Sequence, residues 1–271
     1  MMNESIFLKS KNVFLDLVNA KDYVQLNRVA TLYQSLKESL EKPLKMVLLY
    51  GKPGTGKSML LNKLHTDSTL SMKTFLYLTP ILDESEFYKT LAQDIFKTQY
   101  TGELNLTQFM KIVEKSKQSS IPVVLLDEAQ LYSEDFMEKI RLLSDARVVK
   151  FLITLHKTER EDLIAKEHFK TRIWESIELK NASASELKIY IQKKLMKLNC
   201  FNTATMFTSK SVNKIFKITN GNYRDTNKLL YTLFDIYLAY ENSNQLRKMK
   251  TDQVSIKIIE MAAIHTGLLN A

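Results

Sequence analysis

Gly51-Lys52-Pro53-Gly54-Thr55-Gly56-Lys57-Ser58 sets three glycines, a lysine and a hydroxyl at the spacing G-x-x-x-x-G-K-[ST]. Glycines at these places let the backbone bend until its N–H groups converge on one anion. The lysine ammonium adds a point charge and the serine hydroxyl a ligand for Mg²⁺, so the pattern is a phosphate-binding loop for a nucleoside triphosphate. On this reading Gly51, Lys52, Pro53, Gly54, Thr55, Gly56, Lys57, Ser58 and Met59 line the nucleotide. Lys57 reaches the β- and γ-phosphates and Ser58 holds the metal. The second chemical cluster is Asp127-Glu128, 70 positions after Lys57. Asp127 is expected on Mg²⁺ and Glu128 as the base that positions water. Thr154 and His156 come next, at the end of another apolar run. His156 is preferred over Thr154 as the polar group that senses the γ-phosphate or places the water. His65, His168 and His265 are isolated, and with one cysteine, Cys200, no zinc site is expected.

These groups need a scaffold of particular shape. Met46 to Tyr50, just before the loop, is a continuous apolar run of the kind that forms a buried parallel strand. Met59 to Leu64, just after it, reads as helix, and a helix N-terminus adds partial positive charge facing the phosphates. Further strands are expected at Thr74–Leu78, Ile121–Leu126, Val148–Leu155 and Ile177–Leu179. Amphipathic stretches alternate with them: Phe87, Leu91 and Ile95 share a face behind a cap at Asp83 and Glu86, and Ser133 opens a helix carrying Phe136, Ile140 and Leu143. Alternation of this kind marks a parallel α/β sheet. From residue 181 only helical patterns remain, beginning with a capping box at Ser183 and Glu186. The expected architecture is therefore α/β: a helical segment at 1–43, a five-stranded parallel P-loop domain at 44–180 flanked by helices, and a small all-helical lid at 181–271. Glu241 to Lys250 is the expected loop within the lid.

Composition narrows the class of protein. The chain has 45% hydrophobic and 25% charged residues, ordinary for a soluble globular fold. A single cysteine excludes an intrachain disulfide and suits a reducing cytoplasm. The N-terminus lacks a basic region followed by an apolar core, so no secretory signal is expected, and no run approaches the length of a membrane span. The net charge of +9 fits nucleic acid or an acidic membrane face as partner. It fits equally a lysine-rich composition spread along the chain.

Three stretches resemble one family, the AAA+ ATPases of the ExeA/GspA/MshM type from bacterial general secretion and MSHA pilus systems, related in domain type to the TniB and MuB transposition helpers. Asp127-Glu128-Ala129-Gln130-Leu131 with Glu138 to Ser144 is similar to that family's DEAQ stretch and the leucine-rich helix after it. Thr171-Arg172-Ile173 through Glu178-Leu179 to Ile191 resembles a second family segment, and Gly221-Asn222-Tyr223-Arg224-Asp225-Thr226-Asn227 its sensor-2 motif. The likeness spans residues 45 to 240. It implies that Arg172 is an arginine finger offered to a neighbouring subunit, that Arg224 contacts nucleotide from the lid, and that His156 holds the sensor-1 position. A finger acting in trans implies a ring or helical oligomer. Two departures stand out: Tyr223 takes the place of a proline, and Leu155-His156-Lys157 that of a Gly-x-Pro turn. Some members continue into a membrane helix and a periplasmic part; neither is expected in these residues, which leaves the pathway open. The implied activity is Mg²⁺-dependent ATP hydrolysis in assembly of an envelope machine, at the inner face of the inner membrane and touching the membrane only through partners. Two alternatives are a DNA-binding AAA+ ATPase in transposition or replication, and a nucleotide-gated scaffold with little turnover.

Overall fold

A computed structural model describes residues 5–270 apart from positions 16, 44, 69–71, 117–119, 157–172, 244 and 246–251. The chain divides into two compact units, one of residues 28–52 and 57–179, the other of residues 1–27, 53–56 and 180–271. The residues expected as one N-terminal segment, 1–43, are thus shared between the two.

The first unit is built on a parallel sheet of five strands, β1 (Met46–Gly51), β2 (Thr74–Tyr77), β3 (Val123–Leu126), β4 (Lys150–His156) and β5 (Ile173–Glu178), in the order β2-β3-β4-β1-β5. Met46, Val47, Leu48 and Leu49 are all buried, so both faces of β1 are covered, as a parallel sheet requires. One face carries an aromatic cluster in which Phe87, Tyr132 and Phe136 meet edge to face and Tyr88 stacks on Phe109. Phe87 and Tyr88 arrive on α4 (Glu84–Phe96), Phe109 on α5 (Leu106–Lys115) and Phe136 on α6 (Glu134–Asp145), while Tyr132 lies just before α6. Two further helices of this unit are α2 (Asn27–Glu41) and α3 (Lys57–Thr66). Ser133 caps α6 as expected, accepting from Phe136 N–H, and Asp83 accepts from Glu86 N–H. A full capping box at Asn105 and Gln108 had no counterpart in the sequence reading.

The strand limits differ from expectation for physical reasons. The third strand starts at Val123 instead of Ile121, because Pro122 has no N–H to give; its carbonyl still accepts from Lys150 N–H at 2.9 Å. The fifth strand starts at Ile173, four residues before the expected Ile177. It lies at the sheet edge and carries Glu175, so its pattern is not a continuous apolar run. The Glu175 carboxylate is satisfied by the hydroxyls of Ser35 and Ser39 on α2. Helix α2 begins only at Asn27, after a short 3₁₀ turn at Ala20–Asp22 capped by Asn19, so Tyr23 and Leu26 precede the helix they were expected to join.

The second unit is helical: α1 (Ile6–Val13), α7 (Ala184–Lys197), α8 (Phe201–Thr205), α9 (Ser209–Thr219), α10 (Tyr223–Asn242) and α11 (Ile256–His265). Leu229, Leu230, Leu233, Phe234 and Tyr237 form the buried stripe of α10. Phe7 and Phe14 from the α1 region stack on Tyr237 and Phe234, which is why the first residues join this core. Ser183 and Glu186 form the reciprocal capping box that opens α7. The expected loop at Glu241–Lys250 begins as the last turn of α10, and most of the remainder lies outside the described residues. Among the described residues no helix is long and apolar enough to cross a membrane.

Candidate functional site

The chain turns from β1 into α3 through Gly51–Gly56. Gly54 and Gly56 have φ of +77° and +95°, backbone states that residues with a Cβ rarely adopt. A helix begins at Lys57 itself, so the N–H groups of its first turn remain without intrahelical partners and face the loop. Lys57 is buried, and its ammonium donates to the carbonyls of Gly51 at 2.8 Å and Lys52 at 3.1 Å. Thr55 is also buried, while Lys52 and Pro53 are exposed and Ser58 and Met59 are half-buried.

Sheet register determines what stands beside this loop. In the β1–β4 pairing Gly51 is opposite His156, and in the β3–β4 pairing Leu126 is opposite Ile153. The next residue of each strand brings Asp127 beside Thr154. All strands run the same way, so the loop, the acidic pair and the β4 terminus share one edge of the sheet. This carboxyl edge is where open parallel sheets bind ligands.

Thr154 is fully buried between the acidic residues. Its hydroxyl donates to Asp127 Oδ1 and accepts from Glu128 N–H at 3.1 Å, a proton that Asp127 Oδ1 also receives at 3.0 Å. Asp127 is buried as well, with one carboxylate oxygen held by these donors. Glu128 has φ +52°, an uncommon state for a residue with a Cβ. The bend separates the two carboxylates, leaving the Glu128 side chain 41% exposed while Asp127 is buried. His156 stands 3.8 Å from Glu128 Oε1 through Nε2, and its Nδ1 meets the Gln130 amide nitrogen at 3.3 Å. A Gln130 N–H donated to Nδ1 leaves the neutral ring's proton on Nε2, on the side of Glu128.

Within the helical unit, the loop tip 53–56 meets the start of α10. Asn222 Nδ2 donates to Pro53 O at 2.7 Å and Tyr223 N–H to Gly54 O at 3.1 Å. Asn222 Oδ1 meanwhile accepts from Arg224 N–H and Asp225 N–H as the helix cap. A Cβ on Gly54 would collide with Asn222 Oδ1 and crowd Arg224 Cβ, so the side chain of Arg224 starts close beside Gly54. Arg172 lies outside the described residues.

The structure therefore brings together Lys57, Asp127, Glu128, Thr154 and His156 on one sheet edge, and Arg224 with Gly54. Thr154, the second choice from sequence, is the β4 residue that touches Asp127; His156 instead faces Glu128. Two residues escaped the sequence reading. Gln130 lay inside the DEAQ stretch with no role, although an amide one 3₁₀ turn after the acidic pair is well placed to reach it. Asn222, read only as part of a turn, stands where an N-cap is expected, directly before a helical run.

The donor set suits a triphosphate and its metal: a glycine turn with two positive φ angles, a buried ammonium, a hydroxyl in the first helical turn and a buried carboxylate. The fold is that of a P-loop AAA+ ATPase with a helical region after its sheet domain, and residues 40–163 match the family model described as an AAA domain. Among solved structures the chain is similar to Cdc6p from Pyrobaculum aerophilum, with a TM-score of 0.68 at 16% identity, covering 94% of this chain and 71% of that one. It is similar also to the ORC1 protein of Aeropyrum pernix in complex with DNA, with a TM-score of 0.60 at 17% identity, covering 94% of this chain and 69% of that one. Domain III of the replication initiation protein DnaA from Thermotoga maritima gives a TM-score of 0.52 at 14% identity, covering 92% and 96%. No curated protein matches in sequence.

Proposed function

We propose that the chain is a Mg²⁺-dependent ATPase that couples ATP hydrolysis to conformational change. The observation that carries the proposal is the register placing Gly51 opposite His156 and Thr154 beside Asp127, so that phosphate loop and acidic pair share one sheet edge. Gly51 to Met59 wrap the triphosphate, and Lys57 exchanges its loop carbonyls for β- and γ-phosphate oxygens. Ser58 and Asp127 hold Mg²⁺, which supplies positive charge against the phosphates when bound. Glu128 orients the attacking water, with its backbone held by Thr154 and its carboxylate flanked by His156. Arg224 contacts nucleotide from the helical unit, and Arg172 reaches the nucleotide of a neighbouring copy in a ring or helical oligomer.

The substrate of the mechanical work is proposed to be DNA. Support comes from the likeness to an ORC1 protein solved in complex with DNA and to the replication initiation protein DnaA, and from the excess of basic residues. The DEAQ and sensor-2 stretches favour a second reading, assembly of a secretion or pilus machine in the cytoplasm beside the inner membrane. Calorimetry and turnover assays test the core proposal. Lys57→Ala is expected to lose tight ATP binding, whereas Glu128→Gln binds ATP and hydrolyses it at least about 100-fold more slowly. Brisk turnover by Glu128→Gln would remove that residue from its assigned role. Hydrolysis stimulated by duplex DNA separates the first reading from the second.

A further inference from the structure

Charge is divided very unevenly along the chain. Residues 180–271 hold 14 Lys and Arg against 6 Asp and Glu, a net of +8, so nearly all of the chain's +9 resides there. Most acids of this stretch are engaged elsewhere. Glu186 sits in the capping box of α7, Asp225 follows the α10 cap, Asp235 pairs with Lys11 at 2.5 Å, and Glu241 accepts from Ser5.

The excess has a face. Helix α9 contains Lys210, Lys214 and Lys217 and no acidic residue. Spacings of four and seven put the three lysines on one side, opposite the buried Val212 and Ile215. Lys257, in the first turn of α11, lines a groove of about 440 Å³ together with Lys210, and the hydroxyl residues Thr208 and Ser255, both half-buried, line the same groove. Lys188 of α7 reaches the start of α9 through Ser209 Oγ at 3.2 Å. Two acids lie near: Glu260, paired with Lys214 at 2.6 Å, and Asp252 in the turn before α11. Lys210, Lys217 and Lys257 are exposed and have no ion-pair partner among the described residues.

Resting on the DNA-linked reading above, we infer that this face of α9, with Lys257 of α11, is a sequence-independent binding surface for the phosphate backbone of duplex DNA. Lys210 to Lys217 span about 10 Å at 1.5 Å per residue, close to three nucleotides of one strand at about 3.4 Å each. The groove hydroxyls add the short polar contacts that phosphates commonly receive. A membrane surface is the poorer fit. Amphipathic helices that lie on bilayers insert an apolar face, and the apolar face of α9 is already packed inside the helical core.

The test uses the full-length chain with Lys210→Gln, Lys217→Gln and Lys257→Gln combined, against a control with Lys111→Gln and Lys115→Gln on the exposed side of α5. Binding to a fluorescent duplex of arbitrary sequence is followed across a salt titration. The unaltered chain and the control should bind, with affinity falling steeply as salt rises. The triple variant should bind at least about tenfold more weakly, and its log–log salt slope should be shallower by about 2 to 3, at about 0.9 per phosphate contact. Equal affinities and slopes for triple variant and control would overturn the assignment. So would an unaltered chain that ignores duplex DNA at low salt yet binds phosphatidylserine vesicles. ATP binding by the triple variant, measured calorimetrically, should match the unaltered chain, which reports that the fold is intact. A chain that binds duplex through these lysines but ignores ATP would sink the ATPase proposal and leave the surface standing.

Discussion

Thr154 links the two acidic residues through one oxygen. Its hydroxyl donates to Asp127 and accepts the N–H of Glu128, whose backbone is held at φ +52°. A valine would keep the shape of the side chain and lose both bonds, leaving the buried Asp127 Oδ1 and Glu128 N–H with only the bond between themselves. Loss of a buried hydrogen-bond partner typically costs about 1–3 kcal/mol. Thr154→Val is therefore expected to lower the thermal midpoint measurably and to slow hydrolysis about 10- to 100-fold, at about tenfold in rate for each 1.4 kcal/mol of positioning lost. ATP affinity should change little, because the loop itself is untouched. Steady-state kinetics set beside calorimetry check the split, and an unchanged kcat would remove Thr154 from any positioning role. The residue types were legible in sequence, since an acid pair after an apolar strand and a polar residue at the end of the next strand are both local patterns. The pairing was not. Thr154 and Asp127 are 27 positions apart, and only strand register made Thr154 the partner of Asp127 and sent His156 toward Glu128 and Gln130.

Individual elements show the same division. Helix α10 begins at a cap that has two tasks: Asn222 Oδ1 takes two backbone N–H groups of the helix, and Asn222 Nδ2 donates to Pro53 O on the phosphate loop. Replacing an N-cap asparagine by alanine costs about 0.5–2 kcal/mol, typically ~1. For a chain of this size a loss of 1 kcal/mol lowers the midpoint by about 2–4 °C. Asn222→Ala is expected to show at least that shift in thermal unfolding, together with weakened ATP affinity, because the loop loses a fixed partner. Asn222→Asp keeps the cap oxygens and loses the donor to Pro53, so it should spare the helix and still weaken nucleotide binding. A variant pair that behaves identically in both assays would refute the double role. The strands of the sheet interior were readable because burial on two faces demands an unbroken apolar run. Strand β5 was readable only in its last residues, since an edge strand tolerates Glu175 when Ser35 and Ser39 of another helix satisfy it.

Across the whole molecule, net charge and assembly carry the remaining expectations. The total of +9 hid a division in which the last 92 positions hold nearly all the excess, although lysines occur throughout. The acids of the α/β unit offset its lysines, whereas few acids offset those of the helical unit. If Arg172 serves as a finger in trans, specific hydrolysis should rise with protein concentration as neighbours meet. Arg172→Ala should bind ATP normally and lose that rise, and mixing it with Glu128→Gln should restore hydrolysis where an intact Arg172 faces an intact Glu128. Activity that is independent of concentration, in a chain monomeric by light scattering, would count against a finger supplied by a neighbour.

By itself the sequence determined the phosphate loop, the acidic pair, the alternation of strands and helices and the helical character of the last third. Each of these is a matter of neighbours along the chain: glycine conformations, helix caps and apolar period act over a few residues. Only the tertiary structure decided that the first helix joins the helical core, that Thr154 binds Asp127, that Asn222 meets the loop and that Lys210 of α9 lines one groove with Lys257. Those choices depend on which surfaces find one another when distant segments pack, and the spacing of letters along the chain carries no record of that.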